Sequence, residues 1–240
     1  MRFLVLGILW ASLCLGAEIK VAVAANLTQA MQAIKSAFLK QHSAQVLLSF
    51  GSSGHFFNQI MQGAPFDLFI SADKQRPLRL QQEKYTPYPV KVYARGVLVL
   101  WSKQEKIHSL EALQGSFNHL AIANPNLAPY GRASMEVLQK LGLVDALELK
   151  IVQAGSISQA NQYVQSGAAS LGFSALSLMR KDSHYFIVPK EYYSPIEQAM
   201  VLTKKGGENP LARALEDFIL SKEGQKILKK YGYLVEELGE

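Results

Sequence analysis

Four short segments carry the residues best suited to holding a ligand, and all four are built alike. They are Ala24-Ala25-Asn26-Leu27, Phe50-Gly51-Ser52-Ser53-Gly54, Asn124-Pro125 leading through Pro129-Tyr130-Gly131, and Gly155-Ser156-Ile157-Ser158. Each follows a short apolar run and precedes a stretch with helical spacing, so each sits where a strand turns into a helix. The first N–H groups of a helix have no intrahelical acceptor and carry the positive end of its dipole, which suits such a turn to anions. Asn26 can turn its amide outward, Ser52 and Ser53 bring hydroxyls, Tyr130 brings a phenol, and Ile157 brings an N–H beside neighbouring serines. Gly51 and Gly54 let the main chain come close to a ligand. Taken singly, the segments also fit ordinary helix caps and turns, and Tyr130 fits a packed loop tyrosine. Together they fit an anion with four oxygens, held by neutral donors and requiring no lysine or arginine. A site made only of donors disfavours a protonated oxyanion, whose OH is left without a partner when buried.

The elements that must position these turns alternate. Residues 19–24 form a β-branched and small apolar run, and 27–39 show helical spacing through Leu27, Met31, Ile34 and Phe38. Strands are predicted at 46–50 and 66–70, with helices at about 55–61 and 78–82. Tyr85-Thr86-Pro87-Tyr88-Pro89 breaks the rhythm, because its prolines exclude regular helix and central strand. A second group of units starts near residue 95, with strands at 97–101, 120–123, 151–152 and 171–173 and helices at about 131–141 and 158–165. A last strand at 199–203 precedes helices at 210–220 and 223–231. This βαβ alternation predicts an α/β protein with largely parallel sheet, in two groups about a proline-marked joint.

Residues 1–17 predict a secretory signal peptide. Arg2 precedes an apolar run that is short for a membrane span and ends in the small pair Gly16-Ala17, which places cleavage after Ala17. A retained membrane anchor and a lipid-bearing Cys14 are the other readings, the latter weakened by the bulky Leu13 before it. Cys14 is the only cysteine, so the chain after cleavage has no thiol, no disulfide and no cysteine-ligated metal, which fits the periplasm. The net charge of +6 falls by one when Arg2 leaves, and the basic residues are scattered rather than gathered into a nucleic-acid patch.

Other chemistries fit less well. A secreted serine hydrolase is the rival of a different class, but Gly51-Ser52-Ser53-Gly54 lacks the Gly-x-Ser-x-Gly spacing of a nucleophile elbow. His42, His55, His108, His119 and His184 have neither triad context nor the spacing of metal ligands. A binding protein for another oxyanion is a second alternative, sulfate needing a smaller cavity. A small organic acid calls for an arginine clamp, for which Arg95 and Arg132 are the candidates. A cytoplasmic ligand-sensing domain of a regulator is opposed by the leader and by the lack of an appended DNA-binding segment.

The chain resembles the periplasmic molybdate-binding proteins of bacterial ABC importers over roughly residues 18 to 234. The resemblance is carried by Val23-Ala24-Ala25-Asn26-Leu27, Phe50-Gly51-Ser52-Ser53-Gly54, residues 63–73 (GAPFDLFISAD), 133–142 and Lys230-Tyr231-Gly232-Tyr233, with 63–73 the most specific. It implies the two-lobed type II periplasmic binding protein fold, with a ligand cleft between two βαβ lobes. Lobe 1 would hold residues 18–93 and 199–240, and lobe 2 residues 94–198. The hinge would lie near 90–94 and 198–201, and capture would be hinge closure. The family's ligand positions fall on Asn26, Ser53, Tyr130 and Ile157, the last mainly through its N–H. Asn26 stands where the family commonly has serine. Ala175 stands where a family tyrosine donates, and Tyr130 would replace that donor from the neighbouring loop. The implied ligand is molybdate or tungstate, its metal held only through oxyanion oxygens, with no cofactor and no enzymatic activity. The implied partners are a transmembrane permease and its cytoplasmic ATPase, served by a periplasmic monomer.

Overall fold

The structure, a computed structural model, describes residues 18–180 and 182–235; the expected signal peptide lies outside the described residues. β1 (Glu18–Ala24) is the apolar run at the start, buried from Val21 onward because strands flank it on both edges. A 3-10 turn over Ala25–Leu27 runs straight into α1 (Thr28–Phe38), whose Met31, Ile34 and Phe38 recur at helical spacing and are fully buried. β2 (Gln45–Gly51) leads to α2 (Ser53–Met61), and β3 (Leu68–Ile70) to α3 (Gln75–Gln82). β4 (Lys91–Gly96) passes almost without interruption into β5 (Leu98–Ser102). Then follow β6 (Leu120–Ala123), α4 (Pro129–Lys140), α5 (Val144–Leu147), β7 (Ile151–Ala154), α6 (Ile157–Ser166), β8 (Leu171–Ala175) and β9 (His184–Ile187). β10 (Ile196–Leu202), α7 (Pro210–Leu220) and α8 (Lys222–Lys230) complete the described elements.

These strands make two five-stranded sheets, in the orders β2-β1-β3-β10-β4 and β7-β6-β8-β5-β9. The architecture is two-lobed α/β, but the sheets are mixed rather than largely parallel. β1 pairs parallel with β2 and β3, and β6 parallel with β7 and β8, whereas β10 and β5 run antiparallel to both of their neighbours. The physical reason is connectivity. A strand that enters a sheet from the other group of elements needs no crossover helix, so its direction is not fixed by the βαβ rule. β4 and β9 were not expected from the sequence. Each is an edge strand: β4 mixes charged and apolar positions and shows no continuous apolar run, whereas β9 carries the short apolar run Tyr185-Phe186-Ile187 with alternate residues exposed. α7 and α8 pack on α1, where Phe218 meets Phe38 edge-to-face at 5.8 Å.

The register puts the turns side by side. Ala24 lies opposite Gly51 at the carboxyl ends of β1 and β2, so the helices that follow start next to each other. Ala123 lies opposite Ala154 at the ends of β6 and β7, which does the same for α4 and α6. The start of α4 is held against the end of β6 by an absence of side chain. A Cβ added to Gly131 would stand 2.2 Å from the Ala123 carbonyl oxygen, a main-chain atom that cannot swing away. Gly131→Ala is therefore expected to lower stability by about 1–3 kcal/mol through displacement of α4; an unchanged urea midpoint would contradict this close approach.

Candidate functional site

The four helix starts form a closed ring. Two of its sides are the strand neighbours just described, β1 with β2 and β6 with β7. The other two sides are hydrogen bonds between the groups of elements: Gly54 N–H donates to the Leu127 carbonyl at 2.8 Å, and the Ser158 hydroxyl donates to the Ala25 carbonyl at 2.8 Å. The turn at Asn26, the start of α2, the approach to α4 and the start of α6 thus occupy the corners of one small region. Asn26 and Ser53 come from the first sheet, Tyr130 and Ile157 from the second, and all four are buried.

Which donors remain at each corner follows from what is already used. On α2, His55 N–H donates to the Ser52 hydroxyl cap and Gly54 N–H to Leu127, which leaves the N–H of Ser53. The Ser53 hydroxyl accepts from Ala72 N–H at 2.9 Å, so its own proton remains to be donated. On α4, Pro129 has no N–H and Gly131 N–H bonds the Ala128 carbonyl, which leaves Tyr130 N–H. On α6, Gln159 N–H bonds the Ser156 hydroxyl, which leaves Ile157 and Ser158. At the first corner the Ala25 carbonyl is engaged by both Thr28 and Ser158 hydroxyls at 2.8 Å. A planar trans peptide then points Asn26 N–H the opposite way. The ring is therefore furnished with neutral donors, at the positive ends of four helical segments.

Side chains behind the ring form a second, buried network. Asn26 Nδ2 donates to Gln198 Oε1 at 2.9 Å and to the Tyr233 hydroxyl at 2.8 Å, while Tyr233 and Ser177 hydroxyls donate to the Asn26 carbonyl at 2.9 and 2.8 Å. Gln198 Nε2 donates to the Tyr130 hydroxyl at 3.1 Å, and the Tyr93 hydroxyl lies 2.9 Å from Gln198 Oε1 and 2.8 Å from the Ser71 carbonyl. Asn26 Oδ1 is buried without a protein partner. Burial raises the phenol pKa values of Tyr93, Tyr130 and Tyr233 well above the ordinary tyrosine range, so the network stays uncharged at neutral pH.

At the outer edge the two groups of elements meet through charge. Asp73, whose side chain is 7% exposed, takes Arg76 from its own helix start and Arg132 from α4, the latter at 3.1 Å. Arg132 also donates to Gln75 at 2.7 Å, and Arg76 reaches the Asn126 carbonyl at 2.8 Å. A groove of about 400 Å³ runs beside this pair along the seam, lined by residues of both signs including Lys74, Arg132, Glu136 and Glu197. Its mixed charge separates it from the ring, whose donors are neutral.

Residues 19–234 match the family described as bacterial extracellular solute-binding protein. The chain belongs to that family. Among curated relatives, this solute-binding protein is 44% identical over 226 residues to the molybdate-binding protein ModA of Azotobacter vinelandii, covering 90% of each chain. It is 42% identical over 224 residues to ModA of Rhodobacter capsulatus, covering 91% of this chain and 89% of the relative. Among solved structures it is similar to the periplasmic molybdate-binding protein of Azotobacter vinelandii, with a TM-score of 0.87, 36% identity and coverage of 91% of this chain and all of that one.

In this solute-binding protein all four residues singled out from the sequence adjoin the ring, though two present other atoms than expected. Asn26 was expected to turn its amide outward, but both Nδ2 protons are spent on Gln198 and Tyr233. Tyr130 was expected to donate through its phenol, but that group lies against Gly96 and Gln198. What each places at its helix start is its main-chain N–H, while the Tyr130 hydroxyl, which accepts from Gln198, keeps its own proton beside Gly96. Ala175 is buried, and just beyond it Ser177 holds the Asn26 carbonyl. Of the arginines considered for an organic acid, Arg132 is committed to Asp73 and Gln75, and Arg95 pairs with Glu197 at 3.5 Å. Sequence reasoning placed Tyr93 and Gln198 only in the hinge segments and Tyr233 only in a segment of the resemblance; their hydrogen-bond partners lie between 22 and 207 residues away, and no local spacing signals that network.

The raised phenol pKa values have a measurable sign. The native state keeps these protons to higher pH than the unfolded chain, whose tyrosines ionise near pH ~10. Their contribution is therefore complete below about pH 10 and is lost as pH rises from there through the native-state values. Denaturation midpoints are expected to hold level from about pH 7 to 9 and to fall steeply above about pH 10, with Tyr93→Phe reducing the slope; an identical slope in that variant would contradict the assignment.

Proposed function

We propose that this protein captures molybdate or tungstate in the periplasm and delivers it to the permease of an ABC importer, with residues 1–17 as the export signal. The observation that carries the reading is the ring of four helix starts whose unspent donors are neutral and converge from both sheets. A tetrahedral dianion accepts hydrogen bonds in four directions, and charge-assisted bonds to main-chain N–H groups hold it without a counter-cation. Ser53 contributes an N–H and its hydroxyl, and Asn26, Tyr130 and Ile157 contribute N–H groups. The names of the relatives supply the ligand, since the same ring chemistry suits any oxyanion of fitting size.

In this reading the lobes are residues 18–93 with 199–240, and residues 94–198, and they hinge where β4 and β10 lead from one sheet toward the other. Closure brings Gly54 to Leu127 and Arg132 to Asp73, sealing a bound anion from water. The protein works as a monomer, and the cytoplasmic ATPase drives transfer through the permease.

Isothermal titration of residues 18–240 at neutral pH tests the reading directly. Molybdate and tungstate are expected to bind tightly and sulfate to give no heat, and silence with all three would overturn it. Ser53→Ala is expected to weaken molybdate binding by about 1–3 kcal/mol, since an anion oxygen loses a donor that water cannot replace. Arg132→Gln leaves the ring intact but removes a cross-lobe ion pair, so stopped-flow release is expected to quicken by about two- to ten-fold; an unchanged rate would remove that pair from closure.

A further inference from the structure

We propose that Gln198 is a positioning residue that sets the ring for its anion, by locking the Asn26 turn of one lobe to the Tyr130 helix of the other. The inference rests on the oxyanion reading of the ring and assigns a role to a side chain outside it. Gln198 is fully buried on β10, at the point where the pairing of β10 with β4 slips by a residue. The residue left unpaired by the slip is Tyr93 on β4, since Gln198 lies opposite Ala94 and Ala199 opposite Val92. Such a bulge re-aims the side chain at its site, and the Tyr93 hydroxyl reaches Gln198 Oε1 at 2.9 Å.

The amide's two ends do different work. Oε1 receives Asn26 Nδ2 and lies 2.9 Å from the Tyr93 hydroxyl, both groups of the first sheet. Nε2 donates to the Tyr130 hydroxyl on α4, in the second. This polarity is not interchangeable. With Oε1 occupied by an N–H donor, Nε2 must face Tyr130, and the phenol oxygen must accept. Asn26 is then held at its amide by Gln198 and Tyr233, and at its carbonyl by Tyr233 and Ser177. With the Ala25 carbonyl pinned as well, the main chain of the turn has one orientation, with Asn26 N–H opposite to that carbonyl. Separation of the Asn26 turn from the Tyr130 helix must break one of the amide's two bonds, so the amide is satisfied in full only in the closed form. No room exists for an alternative: a Cβ at Gly96 would lie 2.1 Å from the Tyr130 hydroxyl and 2.5 Å from Gln198 Nε2.

The titratable groups that face the amide are Tyr93 from β4, Tyr130 from α4 and Tyr233 from the C-terminal segment, with Asp73 acting on Tyr93 through space. None of the three phenols ionises below about pH 10. An acid placed at position 198 is therefore the group that titrates there in the neutral range.

The test is titration of molybdate into the full chain from residue 18 and its Gln198→Glu and Gln198→Met variants, between about pH 6 and 9. Wild-type affinity is expected to stay level. Gln198→Met, which has the shape but neither hydrogen bond, is expected to bind about 10- to 100-fold more weakly at every pH. Gln198→Glu is expected to lie within about tenfold of wild type at the acid end, where its protonated carboxyl supplies a donor to Tyr130. It should weaken by about 100-fold or more as that carboxyl ionises beside a bound anion. Wild-type affinity in either variant, or a loss in Gln198→Glu that ignores pH, would overturn the proposal. Should the substitutions at 198 unfold the chain, Tyr130→Phe removes only the hydroxyl that Nε2 reaches; affinity within twofold of wild type would then overturn it. A wild-type chain that binds no oxyanion would instead overturn the reading of the ring, and this inference with it.

Discussion

Main-chain N–H groups that have no acceptor within their own helix are what the rest of this structure is arranged around. Every helix has such groups, and in isolation they are satisfied by water or by a capping side chain. Here four sets are gathered at one place, and most of their members are deliberately spent. Serine caps take one N–H on α2 and one on α6, proline deletes one on α4, and Leu127 takes another across the seam. What survives is a small number of donors at the corners of the ring. Because they are main-chain groups, their positions are set by strand register and helix direction, which are harder to disturb than a side-chain rotamer.

That arrangement explains why the ring lacks cations and why the charges sit outside it. A lysine or arginine within the ring would attract any anion, including small ones, whereas fixed dipoles reward only an anion that touches several at once. The arginines instead meet Asp73 at the edge, where they bind lobe to lobe. Behind the ring the same rule holds in another form. Three phenols and two amides form a buried network with no formal charge, so the polar groups that shape the ring add no net field to it.

Much of this was legible in the sequence, because it depends on local pattern. The apolar run of β1, the spacing of Leu27, Met31, Ile34 and Phe38, and the small and hydroxylated turns all follow from periods of two and 3.6 residues and from capping chemistry. What was not legible depends on partners distant in the chain. The antiparallel insertion of β10, the edge strand β4, and the diversion of the Asn26 amide and Tyr130 phenol into the Gln198 network leave no local trace. In each of the last two cases the residue was found and the atom was not. A donor-bearing side chain near a helix start is visible as a residue type, but the three-dimensional competition for its protons is not.

The place of β10 in the first sheet governs the order in which the molecule can be assembled. The second sheet draws all its strands from one continuous stretch, Leu98 to Ile187, and can form as soon as that stretch is available. The first sheet cannot, since β10 lies between β3 and β4 and is made after every other strand. Until it arrives, β3 and β4 present unpaired edges of the kind that invite wrong partners. All four corners of the ring precede residue 159, yet Gln198, which ties Asn26 to Tyr130, comes only with β10. A chain that stops short of β10 carries the ring's residues without the strand that joins them.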